Sequence, residues 1–284
     1  MGKTAIYWRR LGMGLATLLG GKPQGYFIPY RHAAGLPQAG TLPEYDSLKT
    51  LFDGRREAFQ IFINNFNKFK EEFDNIGENN PPQPRWDQTW FPRLDAAAAY
   101  ALVRREQPKR IVEIGSGHST RFLARAIADG GLATKLTSID PQPRAVIEGL
   151  GVDIQRKTLH QAAPEIFERL GPGDMVFVDS SHILMPGSDV DYILNRILPS
   201  LPAGLLIHFH DIFLPGDYPA DWTWRGYNEQ QGIAALIQGG AYEIVFASNY
   251  VMRYAPEWLD PTPLAAIGLQ AGAFENSLWL KKTG

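Results

Sequence analysis

The chain has 284 residues, of which 44% are hydrophobic, enough for one large domain or one domain with an appendage. Its 28 Lys and Arg against 30 Asp and Glu leave a formal charge of −2, so no net positive field draws it to nucleic acid. The absence of cysteine excludes disulfides, thiolate metal ligands and cysteine nucleophiles.

Near the N-terminus the apolar run 11–19 follows Arg9 and Arg10. It is too short to span a bilayer and lacks the layout of a signal peptide. A short helix packed on the main domain or on a partner is expected there ahead of a membrane-surface helix, with no integral membrane segment and a cytoplasmic location. A loop follows over 22–31. From 55 to 76, Phe59, Phe62, Ile63, Phe66, Phe69 and Phe73 recur at three- and four-residue steps, which predicts one amphipathic helix with a core-facing stripe. The stretch 78–84, Glu-Asn-Asn-Pro-Pro-Gln-Pro, breaks that helix and reads as a linker. After it comes an aromatic segment, 86–93, whose Trp90, Phe91 and Arg93 are expected to line a pocket. The division that results is a helical and loop extension over 1–88 and a ligand-binding domain over 89–284.

Beyond residue 109 the pattern alternates. Strands are predicted over 110–114, 136–139, 152–155, 175–178 and 205–209, and late strands over 242–247 and 277–280. Helices are predicted over 120–128, 161–170, 190–198 (with Ser188 as N-cap) and 229–238, where Asn228 is read as a cap. Repeated strand–helix alternation implies an α/β fold, a doubly wound, mainly parallel seven-stranded sheet covered on both faces. In such sheets ligands sit at the carboxyl ends of the strands. The polar residues gather at those ends.

The first strand closes into Glu113-Ile114-Gly115-Ser116-Gly117-His118-Ser119-Thr120 and opens a helix. Glycine permits a sharp turn and close approach of backbone to a ligand. Asp140, at the end of the next strand, is placed to accept both hydroxyls of a ribose. A dinucleotide loop would carry a third glycine where Thr120 stands, and Glu113 would repel a pyrophosphate but not a sulfonium and amino group.

This stretch resembles the first motif of class I S-adenosylmethionine-dependent methyltransferases, built on a Rossmann-like sheet. Asp140 resembles their ribose-binding acid, and 174–179 their fourth-strand motif. The resemblance covers about residues 90 to 284. It is closest to bacterial small-molecule members with an Asp-Ser-Ser-His turn after the fourth strand and a His-Asp pair after the fifth. It implies that Glu113, Gly115 and Gly117 surround the methionine part of S-adenosylmethionine, with Asp140 on the ribose, Gln142 near the adenine, and Asp179 at the same site.

A second constellation joins Asp179-Ser180-Ser181-His182 with His208, His210 and Asp211. Two readings stay open. In one, His182 or His210 is the general base toward a substrate hydroxyl, assisted by Asp211. In the other, Asp179 and Asp211 bind a divalent metal, Mg²⁺ before Zn²⁺, with His182 or His210 helping. Metal-dependent relatives carry a further Asn or Asp where this chain has Ile212, which weighs against the metal; simple capping by both carboxylates is the third reading. His208 is expected to be a core histidine.

The aromatic stretch 213–229 has the character of a substrate lid, with Tyr218, Trp222, Trp224 and Tyr227 stacking on an acceptor or covering the N-terminal helix. The expected function is S-adenosylmethionine-dependent methyl transfer to a hydroxyl of a small molecule or sugar. The competing classes are an NAD(P)-dependent oxidoreductase and a non-catalytic nucleotide-binding scaffold. No nucleic-acid partner is expected, and a homo-oligomer is compatible with the sequence.

Overall fold

In the computed structural model, residues 3–77 and 79–284 are described. Glu78, the first residue of the expected linker, lies outside them. The chain falls into two compact units, 1–38 and 39–284, so this boundary does not coincide with the division at 88 drawn from the sequence. The first unit holds the helix Lys3–Leu18 and the short 3-10 turn Ala33–Gly35. Among the described residues no helix is long and apolar enough to cross a membrane.

The second unit is built on one seven-stranded sheet. Its strands are β1 (Arg110–Ile114), β2 (Lys135–Ile139), β3 (Asp153–Gln155), β4 (Met175–Val178), β5 (Leu206–Phe209), β6 (Tyr242–Ala247) and β7 (Leu278–Lys282). They lie in the order β3-β2-β1-β4-β5-β7-β6. The first five pair in parallel, while β7 runs antiparallel to both β5 and β6. This is the expected doubly wound sheet. The central strands β4 and β5 are buried at every residue, as a parallel strand covered on both faces must be. The chain leaves β1 toward β2 on one side and returns to β4 on the other, so the ends of β1 and β4 form the switch point where ligands enter such sheets.

The helices depart from the sequence pattern in instructive ways. The expected 55–76 helix is split into Arg56–Asn64, a 3-10 stretch Asn65–Phe69 and Lys70–Asp74. The asparagines cause the break: Asn65 donates to the Ile61 carbonyl and Asn67 to that of Asn64, drawing backbone acceptors away from a regular ladder. The aromatic stripe faces the core as predicted, buried except for half-buried Phe69, with Phe59 and Phe62 meeting Phe246 of β6 at ring separations of 5.7 and 4.9 Å. The 161–170 helix shrinks to Glu165–Glu168 behind Pro164. The 190–198 helix begins at Asp189, capped by Ser188, and passes through a π turn, Ile193–Ile197, next to Pro199, which has no N–H to give.

One long helix, Arg93–Glu106, has no counterpart in the sequence reading. Ten of its fourteen residues are buried, so it is apolar on all sides and shows no stripe. It packs against the helix His118–Asp129 and carries Asp95 into the interior.

Candidate active site

The glycine loop sits on the switch point. Gly115 has φ +81°, and a β-carbon there would stand 1.8 Å from the carbonyl oxygen of Asp179, so only glycine fits. The Asp179 N–H donates to the Ile114 carbonyl, which fastens the ends of β1 and β4 together. The carboxylate of Asp140 accepts the N–H of Ser116 at 2.7 Å and of Gln142 at 2.7 Å. Asp140 is thereby held beside the loop, half-buried, with lone pairs left for a ligand's hydroxyls. The Gln142 side chain and Pro141 lie in the open, on the loop beyond it.

Glu113 is placed otherwise than the family resemblance implies. It is wholly buried and accepts hydrogen bonds from the hydroxyls of Ser119, Thr120 and Ser138. Burial pushes its carboxyl up to about 7 against the pull of those three donors. Thr120, which occupies the third-glycine position, also accepts the Gly117 N–H at 2.9 Å. Glu113 and Thr120 thus fasten the loop from beneath, and Gly115 and Gly117 present the backbone.

The second constellation is brought together as expected. His182 is buried, with Nδ1 2.9 Å from Glu229 Oε2 and Nε2 3.2 Å from Asp179 Oδ1 and 3.5 Å from Asp211 Oδ2. Burial opposes its charge, but hydrogen bonds to Asp179 and Glu229 and the charge of Asp211 hold it well above the ordinary histidine range. Burial likewise opposes the charge of His210, while Asp211, Asp179 and Asp95 lift it to about 9. Its Nε2 faces Asp95 at 3.4 Å, an ion-pair distance without hydrogen-bond geometry, and Nδ1 lies 3.5 Å from Asp211 and 3.8 Å from Asp179. Asp179 feels burial in the opposite direction, yet the His182 hydrogen bond and the two imidazole charges keep its carboxyl well below the usual range. His182 (φ +60°) and Asp211 (φ +58°) are both left-handed, a strained backbone that marks functional turns. His208 is the core histidine expected, stacked on Phe177 at 3.7 Å and bonded to Ser277.

Three members escaped the sequence reading. Asp95 accepts the backbone N–H groups of Asn276 and Ser277 at 3.0 Å each while facing His210. Asn276 donates to Asp211 at 2.9 Å. Glu229, the first residue of the helix Glu229–Gln238, grips His182 from 47 positions away. Asn228 does not cap that helix with its side chain. Instead it pairs with the backbone of Leu184 through both amide atoms and steadies the turn that carries His182.

A cleft of about 160 Å³ opens beside this cluster; Asp179, His210, Asp211 and Asn276 line it together with Trp90, Arg144, Trp222, Arg225 and Phe274. Trp90 therefore lines the pocket as expected, whereas Phe91 is buried against His210 and Arg93 is tied to Glu275. Of the lid aromatics, Trp222 reaches the cleft, Tyr227 lies on the ring of His182 at 4.5 Å, Tyr218 is buried and Trp224 is exposed.

The donor set also bears on a metal. The position where a cation would bridge Asp179 and Asp211 is taken by imidazole nitrogen, His182 Nε2 on one side and His210 Nδ1 on the other. Among the described residues no group of three or more His, Asp or Glu is arranged to hold a metal ion. As placed, both carboxylates are engaged by imidazole nitrogens and do not share an open position for Mg²⁺.

Residues 112–212 match a family described as "Methyltransferase domain". That stretch runs from β1 to the turn after β5 and holds the glycine loop, Asp140, Asp179, His182, His210 and Asp211. The match supports methyl transfer over hydride transfer to a dinucleotide. Among solved structures, the chain is similar to the S-adenosylhomocysteine-bound methyltransferase PaMTH1 of Podospora anserina, at 16% identity over 92% of this chain and 100% of that one, with a TM-score of 0.40. It is similar to the O-methyltransferase TomG from Streptomyces achromogenes, solved with S-adenosylmethionine, at 17% identity over 78% and 90% and a TM-score of 0.39. It is also similar to the plantazolicin methyltransferase BpumL, bound to a monoazolic desmethylPZN analog and S-adenosylhomocysteine, at 14% identity over 83% and 100% and a TM-score of 0.43. No curated protein matches the chain.

Proposed function

We propose that the protein transfers the methyl group of S-adenosylmethionine to a hydroxyl oxygen of a small molecule, with His210 as general base. The observation that carries this reading is the two-sided setting of His210. Nε2 is enclosed and faces buried Asp95, while Nδ1, too far from Asp179 and Asp211 for a good hydrogen bond, belongs to the cleft wall and is left for an incoming hydroxyl. When bound, the cofactor supplies a methyl group already activated on its sulfonium. Gly115 and Gly117 line its methionine end with backbone, Asp140 accepts its ribose hydroxyls, Gln142 lies toward the adenine and Asp179 closes the site from β4. His210 takes the proton from the acceptor hydroxyl, and Asp95 stabilises the imidazolium that results. His182, pinned by Glu229, Asp179 and Asp211, is a positioning residue that holds both carboxylates in place. The chemistry asks for no metal.

The test is thermal unfolding with S-adenosylhomocysteine, NAD and NADP, followed by assays in EDTA. S-adenosylhomocysteine alone raises Tm, because a ligand that binds only the folded state stabilises it by mass action. Asp140→Ala removes most of that shift. A shift with NAD but not with S-adenosylhomocysteine overturns the reading, and loss of activity in EDTA restored by Mg²⁺ overturns the histidine base.

A further inference from the structure

We propose that the acceptor is a single-ring hydroxy acid whose carboxylate pairs with Arg225. The inference rests on the methyl-transfer reading and adds to it the chemical class of the substrate.

The argument starts with an unpaired cation. Arg225, on the 3-10 turn Ala220–Arg225, lines the cleft shared with His210 and Asp211. Its guanidinium is held in place by aromatic rings, 4.1 Å from the Trp222 centroid and 5.3 Å from that of Tyr227, and one nitrogen donates to the Tyr227 hydroxyl at 3.0 Å. Among the described residues no carboxylate comes within ion-pair distance of it, and its Nε has no acceptor. The nearby acids are committed elsewhere: Asp179 to His182, Asp211 to His182 and Asn276, Asp95 to two backbone N–H groups. A rigid, stacked guanidinium with spare donors is suited to a planar oxyanion, which it can grip with two parallel hydrogen bonds.

Size and shape set the rest. A cavity of about 150 Å³ holds one benzene ring, and this cleft measures about 160 Å³. Trp90, Trp222 and Phe274 give it aromatic walls. His210 is the base that takes the hydroxyl, so the acid end of the ligand goes to Arg225 in the same cleft.

The experiment is calorimetric titration of the protein with 4-hydroxybenzoate and its neutral isostere 4-hydroxybenzamide. It is run with and without saturating S-adenosylhomocysteine, on wild type, Arg225→Gln and Arg225→Lys, with folding checked by circular dichroism. The acid is expected to bind the wild type about tenfold more tightly than the amide, as for a charge-assisted pair. The preference should vanish in Arg225→Gln and return in part in Arg225→Lys. Equal affinity of acid and amide, an unchanged preference in folded Arg225→Gln, or no binding of either at millimolar concentration overturns the proposal. Failure of S-adenosylhomocysteine to bind the wild type refutes the methyl-transfer reading separately, since the ratio of acid to amide is still read on the unloaded protein.

Discussion

Glu113→Gln is a direct probe of the glycine loop proposed to hold the cofactor. The wild-type carboxyl is fully buried and raised from 4.5 to about 7 by that burial. An acid with a raised folded-state pKa binds its proton more tightly in the fold than in the unfolded chain. Its contribution to stability is complete below pH 4.5 and is lost as pH rises through about 7. At ~1.36 kcal/mol per pH unit, the rise amounts to about 3 kcal/mol. That is a large part of the 5–15 kcal/mol that holds a typical domain together. Glutamine keeps the shape and cannot titrate, and the hydroxyls of Ser119, Thr120 and Ser138 can turn to meet its amide. The assay is urea unfolding from pH 4.5 to 8, followed by circular dichroism for both proteins. Glu275, also raised to about 7 by burial, titrates in both and cancels in the difference. The stability of wild type relative to Glu113→Gln should fall by about 3 kcal/mol across that range. Parallel curves would refute the assignment of a desolvated, titrating Glu113.

As the proposed base, His210 must be neutral to take a proton; with its imidazole raised to about 9, kcat/KM should climb with pH up to about 9. His210→Ala should cost about 10²–10⁴ in rate and flatten the profile, and a wild-type profile already level at pH 7 would contradict the role. Asp95→Asn should move the ascending limb to lower pH and leave S-adenosylhomocysteine affinity unchanged; an unmoved limb would reduce Asp95 to a tether for Asn276 and Ser277.

The strands and their chemistry were legible because a buried parallel strand is a short apolar run, and in this chain each of the central runs stops at a glycine or a polar residue: Gly115 after Glu113-Ile114, then Asp140, Asp179 and His210. The helix Arg93–Glu106 was not, because Ala96 to Ala99 and their neighbours are buried all round and leave no periodicity to read. Asp95 was hidden with it, although an acid set in a run of alanines is itself a signal that something must pair with it. Glu229 and Asn276 were out of reach for another reason. Each meets its partner across 47 and 65 positions, a contact made by the closing of the sheet and not by any local spacing. The placement of Glu113 under the loop shows the converse: its position in the motif was plain, but three hydroxyls from 119, 120 and 138 decide which way it faces.

The missing side chain at Gly115 leaves its backbone pressed against the Asp179 carbonyl with no room between them. Whatever lifts or settles the glycine loop therefore also moves Asp179, and with it the His182 ring and the end of the helix Glu229–Gln238. Asp179 is thus a shared joint: its backbone braces the glycine loop and its carboxylate holds the His182 ring. Should an occupant of the loop shift that joint, its effect on an occupant of the cleft would be matched by an equal effect in the other direction.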